Sequence, residues 1–442
     1  MTTGPTAPDP GPTPPVTEPG STNGPNRSGV PIALAMQEPE LSESLGEYAR
    51  AWAKRIRSGE SGVLPVLGGL IILVVIFQVQ SPVFLSAGNL TNLLVQGSVF
   101  VLLGMAEVWV LILGEIDLSV GYVAGIGGVI TAILTAPPNN FPWYAAITVG
   151  MVATACIGVL QGTLVIRLRL PSFVVTLAGL LGWQGVVLYL VNTHGTGGTI
   201  RISNNVLLDL SNGNLSPVAG WIIMVGSVLV FGGVTLLRDR HRQSSGLVAP
   251  PLAVTILKIA VMAVAGLALV LICNTNRGVL VPLRGIPYVV LIILGFLILW
   301  TFLLGRTRFG RYLYAIGGNA EAAHRAGISL GWNRLWAFAL TSFTAGAAGI
   351  LYASRLGSIS NNVDGGTLVL YAVAAAVIGG TSLFGGRGKM VYPLLGGLVI
   401  ATIYNGMGLL GLAAAYQYMV TALVLVAAVS IDALARRSSS NS

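Results

Sequence analysis

Residues 114–121 read G-E-I-D-L-S-V-G, two carboxylates and two flanking glycines set between long apolar runs. Only 9% of the 442 residues are charged, so an acidic pair in such surroundings calls for a reason. Placing one carboxylate inside a bilayer costs at least about 2.5 kcal/mol on the mildest scale. A second stretch, V-I-G-G-T-S-L-F-G-G at 377–386, echoes the first. With I-L-G-E-I-D-L-S-V-G set beneath it, Gly114 meets Gly379, Leu118 meets Leu383 and Gly121 meets Gly386. The rest of the chain is read outward from this pair.

At 54% hydrophobic residues and a mean hydropathy of +0.80, the chain is too apolar for a soluble domain, in which about a quarter of residues are charged. It reads as an all-α polytopic membrane protein lodged in the lipid bilayer of the plasma membrane. Apolar runs fall at 63–80, 93–113, 118–136, 142–166, 171–191, 217–237, 252–274, 287–304, 334–354, 368–380, 391–411 and 415–431. Most approach the roughly 20 residues that a helix needs to cross the hydrocarbon, which predicts about 12 transmembrane segments. With both termini cytoplasmic, only Arg201, Arg277, Arg284 and Arg355 of the 24 Lys and Arg fall outside. The positive-inside rule therefore fixes that orientation. The +9 net charge is explained in the same way, and nucleic acid is excluded as a partner.

Run 368–380 is too short. Thirteen residues rise about 20 Å as a helix, and the irregular S-I-S-N-N-V-D-G-G-T before it cannot face lipid. A broken or re-entrant element packed inside the protein follows. Short or glycine-interrupted segments at corresponding places in two halves point to a transport site. Both segments run in the same direction, which implies halves related by an axis near the membrane normal.

Residues 1–36, rich in Pro, Gly, Thr and Asn, are expected to be a disordered cytoplasmic tail. In 37–60, Leu41, Leu45, Tyr48, Trp52 and Ile56 recur at helical spacing among basic residues, which predicts an amphipathic interfacial helix. The transmembrane domain then covers 61–435, and 436–442 form a polar tail. The largest cytoplasmic loop, 305–333, contains G-G-N-A-E-A-A-H-R-A-G-I at 317–328. There Asn319 suits an N-cap, Glu321 the first turn and Gly327 a helix end. A short exposed helix of this kind suits a partner's groove.

The chemistry of hydrolysis and of metals finds little footing. The chain contains no C-x-x-C, H-E-x-x-H or G-x-S-x-G. G-G-R-G-K-M, ending at Met390, fails as a phosphate loop because Leu383 stands where the first glycine should be and Met390 follows the lysine. Cys156 and Cys273 lie in apolar runs and are expected to be buried and inert. No metal, no cofactor and no catalytic residue is expected in this chain.

Several motifs in order carry a family resemblance. G-E-I-D-L-S-V-G, then R-T-R-F-G-R-Y-L-Y-A-I-G-G-N-A-E-A-A from Arg306, then V-I-G-G-T-S-L-F-G-G-R-G from Val377 resemble the permease subunits of bacterial ABC sugar importers of the ribose, arabinose and xylose group. N-G-M-G-L-L-G at 405–411, Y-Q-Y at 416–418 and the R-D-R-H-R-Q at 238–243 are most similar to the D-xylose branch. The resemblance covers roughly 60–435. It implies a chain that is no enzyme itself, dimerises, couples to a separate ATP-binding subunit that holds ATP and Mg, and receives sugar from an extracytoplasmic binding protein. It also implies that Gly317, Gly318, Asn319, Glu321, Ala322, Ala323 and Gly327 form the coupling helix. Departures from the family are Glu115 in place of glycine, Val369, Leu370 and Tyr371 in place of an acidic run, and His324, Arg325 and Ala326 in the coupling segment.

A sugar needs hydrogen-bond partners and flat apolar faces, held weakly enough to be released. Candidates at helix ends and breaks are Trp109, Asp117, Ser119, Trp183, Gln184, Asn192, Tyr404, Asn405, Tyr416 and Gln417, with Gly379, Gly380 and Ser382 shaping the second break. Glu107, inside a predicted helix, is a functional candidate by its placement alone. Asp117 is expected to cap the helix beginning near Leu118, and the pair of breaks to frame the exit of a neutral sugar. Two other readings stay open: a proton-coupled secondary transporter using Glu107, Glu115 or Asp117, and an ABC permease for a non-sugar solute.

Overall fold

The computed structural model describes residues 64–247, 249–278, 281–423, 426 and 430. The expected tail at 1–36, the interfacial helix at 37–60 and the tail at 436–442 lie outside them. The described chain runs α1 (Leu64–Gln80), α2 (Ala87–Leu111), α3 (Val120–Thr135), α4 (Trp143–Arg167), α5 (Ser172–His194), β1 (Thr199–Arg201), α6 (Asn205–Asn212), α7 (Pro217–Ser244) and α8 (Leu252–Asn274). It continues with α9 (Tyr288–Arg306), α10 (Arg308–Gly318), α11 (Ala320–Arg325), α12 (Leu330–Leu356), β2 (Ser358–Ser360), α13 (Gly365–Gly379) and α14 (Tyr392–Leu409). Residues 414–423 are also helical.

Among the described residues, eight helices (α2, α4, α5, α7, α8, α9, α12 and α14) are long and apolar enough to cross a membrane. Shorter apolar helices lie at Pro65–Gln80, Val120–Thr135 and Gly365–Gly379. With the helix at 414–423, each of the twelve apolar runs has become a helix, and the class is all-α and polytopic.

Burial sorts these helices. In α2, 89% of the most apolar window is inside the protein and in α12 72%, against 11% in α7 and α8. The centre is therefore α2 and α12, with α3, α13 and α14 packed on them. Lipid tails are as apolar as leucine, so small residues that let backbones approach drive such packing. A Cβ on Gly104 would lie 3.0 Å from that of Ala375, and one on Gly97 2.9 Å from that of Ala401. With Phe100 against Tyr371, these contacts run α13 parallel to α2, while α14 returns antiparallel. The α7–α8 pair packs mainly on itself at the rim. It is anchored where Arg277 donates to Thr91, Asn214 and the carbonyls of Cys273 and Gly285.

The long helix α2 starts six residues before the apolar run because Ser86 caps it, accepting from Asn89 N–H at 3.3 Å. Polar Asn89 is affordable inside the bundle because its side chain and that of Asn405 exchange amide hydrogen bonds of 2.8 and 3.0 Å. The irregular chain before α13 is not lipid-exposed. Strand β2 pairs antiparallel with β1, Ile200 opposite Ile359, and both isoleucines are buried. This two-stranded ribbon satisfies backbone groups that a helix would otherwise have paired internally. One expectation fails: Cys273 is buried, but Cys156 is exposed on α4, so an apolar run does not assign a face.

Candidate functional site

After Leu111 the chain does not continue as a helix. Gly114, with φ +78°, turns it, and α3 starts only at Val120. In the second half Gly379 ends α13, and Gly380 (φ +117°) closes it in the left-handed conformation. Ser382 Oγ then accepts from Phe384 N–H at 3.0 Å. The two breaks, separated by more than 260 positions in sequence, meet in space: Gly386 N–H donates to the Ile112 carbonyl at 2.8 Å.

The third member of this joint is the end of α10. A Cβ on Gly317 would collide with the Ile112 carbonyl oxygen and lie 2.6 Å from Gly386 N. Three backbones therefore touch with no side chain between them. Tyr314 fastens the same place, its hydroxyl donating to the Gly388 carbonyl at 2.6 Å. Directly beyond lies α11. Asn319 caps it, accepting from Ala322 N–H at 2.9 Å, and Glu321 and Arg325 form an exposed ion pair. Ala323 is buried, Glu321 and Ala322 are exposed, and Gly327 ends the turn with φ +82°. Gly318 and Asn319 are exposed at its entry.

The acidic residues of the first break separate into three environments. Asp117 is buried, and its Oδ1 accepts from Ser119 N–H at 2.9 Å and Ser119 Oγ–H at 2.6 Å. Ser119, the N-cap residue of α3, is tied in turn to Gln161, whose amide donates at 2.8 Å. The helix thus begins two residues later than expected, and Asp117 shapes the turn before it rather than capping it. Glu107 is fully buried, and both its oxygens lack a hydrogen-bond partner among the described residues. Glu115, the departure from the family pattern, is not idle: it pairs with Arg334 Nε at 2.8 Å, at the start of α12. Burial holds its carboxyl above the ordinary range, outweighing the opposing pull of the Arg334 guanidinium.

A cavity of about 180 Å³ with mixed polar and apolar lining lies elsewhere, near the start of α13. Gln96 and Phe100 line it from α2, Tyr352 and Arg355 from α12, Asp364, Thr367 and Tyr371 from the start of α13. Tyr404 of α14, with Gln417 and Tyr418, completes the lining. Asp364 accepts from Thr367 N–H at 3.0 Å, from the Thr367 hydroxyl, and from Tyr418 Oη–H at 3.2 Å. The rings of Phe100, Tyr371 and Tyr404 meet edge to face, at centroid separations of 5.2 to 6.3 Å. Such a lining offers donors, acceptors and apolar faces together.

Of the ten sugar-contact candidates, Tyr404 and Gln417 line this cavity. Asn405 instead faces Asn89, Trp109 is buried against Trp300 and Phe309, and Tyr416 is exposed. The breaks that were expected to frame the sugar's exit do not adjoin the cavity. Gly379 and Ser382 sit at the far end of α13, about 21 Å from its start at the helical rise. Sequence reasoning missed Gln96, Tyr352, Arg355, Asp364, Thr367, Tyr371 and Tyr418. The signal available was the D-G-G-T at 364–367, an N-cap pattern inside an apolar half; Tyr371 stands where the family resemblance expects an acidic run.

A family described as "branched-chain amino acid transport system / permease component" matches residues 89–429. The chain belongs to this permease family. The permease is 34% identical to the xylose transport system permease protein XylH of Haemophilus influenzae over 86% of its length and 98% of that relative's. Against the D-allose transport system permease protein AlsC of Escherichia coli K12 it is 31% identical, over 83% of the permease and 90% of AlsC. The ribose import permease protein RbsC of the same strain is 28% identical over 87% and 95%. No solved structure matches the permease. It is thus a multi-pass membrane protein and a permease component of a transport system.

Proposed function

We propose that the permease is the membrane-spanning subunit of an ATP-driven importer moving xylose or a similar monosaccharide across the plasma membrane. ATP is hydrolysed in a separate ATP-binding subunit, sugar arrives from an extracytoplasmic binding protein, and two permease copies make the passage. The observation that carries this reading is the 34% identity to xylose permeases along 86% of the chain. The cavity supports it. About 180 Å³ is smaller than the roughly 300–1,000 Å³ of drug-sized sites and suits one sugar ring. In this reading Asp364, Gln96 and Gln417 exchange hydrogen bonds with hydroxyls, and Tyr371 and Tyr404 supply apolar faces.

Helix α11 is the contact offered to the ATP-binding subunit, through its cap Asn319 and through Glu321 and Ala322, while Gly317 passes its movement to both breaks at once. Nucleotide-driven motion of α11 then pulls on Ile112 and Gly386 together, which moves α2 and α13 with one lever. Both termini are cytoplasmic in this arrangement, as the distribution of Lys and Arg supports. Uptake of labelled xylose, ribose, allose and leucine by cells carrying the whole system tests the substrate. Xylose uptake with no leucine uptake is expected; leucine uptake alone overturns the sugar assignment.

A second reading, a proton-coupled transporter, is favoured by one observation: buried Glu107 with both oxygens unpaired. Glu107→Gln separates the two. The ATP-driven reading expects uptake to retain its dependence on pH; proton coupling through this residue requires that dependence to vanish.

A further inference from the structure

A larger cavity, of about 690 Å³, opens beside the first break, at the end of the molecule where α11 lies. The α4–α5 connection contributes Arg169, the start of α5 contributes Ser172 and Phe173, the start of α12 contributes Gly331 and Arg334, and Glu115 forms part of the wall. Its volume falls within the range of small-molecule sites. It holds two guanidinium groups against one carboxylate, and that carboxylate engages only Nε of Arg334. The terminal nitrogens of Arg334, and the whole guanidinium of Arg169, have no partner among the described residues.

Two planar forks left open in one cavity are suited to a tetrahedral oxyanion, because guanidinium pairs bidentately with phosphate. The apolar part of the ligand is specified too. Leu170 and Phe173 line the cavity and are also 40% and 54% exposed. Leu168, Val174 and Leu177 continue the exposed apolar strip along the same segment. A charged chamber bordered by exposed apolar side chains accommodates a headgroup and its acyl chains at once. Basic pockets between helices at a membrane surface recognise anionic headgroups on these terms.

We propose that this cavity binds a phosphate ester, held between Arg169 and the terminal nitrogens of Arg334, and that its carrier is an anionic glycerophospholipid. The site is independent of the sugar cavity and of which sugar is moved. Because Arg334 also holds Glu115, an occupied site bears on the first break, and headgroup occupancy adjusts how firmly residues 112–119 are anchored.

The test is thermal unfolding of the full-length permease in detergent stripped of lipid. It is titrated with short-chain phosphatidylglycerol, with phosphatidylcholine of the same chains, and with glycerol 1-phosphate. Phosphatidylglycerol is expected to raise the midpoint at concentrations where phosphatidylcholine does not. Arg169→Gln is expected to weaken the response about tenfold, the worth of one charge-assisted contact, and Arg169→Lys to restore only part of it, because an ammonium keeps the charge and loses the bidentate fork. A full response to glycerol 1-phosphate that Arg169→Gln abolishes supports the phosphate site and assigns it to a soluble ester. An equal response to both lipids, or one unchanged in Arg169→Gln, overturns the proposal. So does an unchanged lipid response joined to lost binding of the ATP-binding subunit, which would assign the cavity to that protein.

Discussion

A methyl group added at Gly317 would strike the Ile112 carbonyl, whereas one added at Gly318 would meet nothing within 4 Å. The two neighbours make a matched pair. Gly317→Ala is expected to abolish ATP-driven uptake or reduce it severely, and Gly318→Ala to leave it near wild type, measured in the same vesicles. Both carry the same loss of backbone freedom, so the contrast isolates the contact with Ile112 and Gly386. Glu115 gives a second prediction at this scale. It stands where the family pattern has glycine, yet its partner Arg334 has a side chain only 34% exposed. Glu115→Gln should therefore lower stability by about 1 kcal/mol, between the value of surface and buried pairs. A double-mutant cycle with Arg334→Gln reads the coupling, and an additive cycle would deny the pair any role. This partner was illegible in sequence, because Arg334 lies at the head of another helix more than 200 positions away.

Single elements were more legible. The short α13 follows from counting apolar residues, since a run of about 13 cannot span a roughly 30 Å core. The capped α11 follows from Asn319 and Gly327, whose local chemistry acts within one turn. Asn319→Ala should cost about 1 kcal/mol of local helix stability. Uptake and binding of the ATP-binding subunit should fall while the unfolding midpoint of the membrane domain stays put. A fall in the midpoint alone would make α11 a structural helix. The cavity was not legible in this way. Its lining comes from α2, α12, α13, α14 and the helix at 414–423, and no one segment displays a polar face that announces it. Arg355 registered only as one basic residue on the outer side, and Asp364 as part of an irregular stretch. Asp364→Asn keeps the shape of the cavity and removes its charge. It should raise the KM for sugar uptake about tenfold, as the loss of a charge-assisted hydrogen bond does, with a smaller change in maximal rate. An unchanged KM would move the sugar site elsewhere.

For the whole molecule, composition and the spacing of apolar runs were enough for an all-α membrane protein, because the bilayer permits so few backbone solutions. They did not reveal which helices are central. Mean apolarity is high in α2 and in α8 alike, but α2 is buried by protein and α8 covered mainly by what surrounds it. The sequence echo between 114–121 and 377–386 has a structural counterpart, since the two breaks abut and share the α10–α11 junction. In the proposed reading, one lever on two breaks lets a chain with no nucleotide motif of its own receive work from a partner. The claim is tested most directly in proteoliposomes that hold the permease and its ATP-binding subunit, with the binding protein and labelled xylose outside. Uptake is expected to require ATP within reach of the ATP-binding subunit, to continue when a protonophore collapses the pH gradient, and to stop when that subunit is made unable to hydrolyse ATP. Uptake driven by an imposed proton gradient, with no ATP-binding subunit in the membrane, would contradict the account.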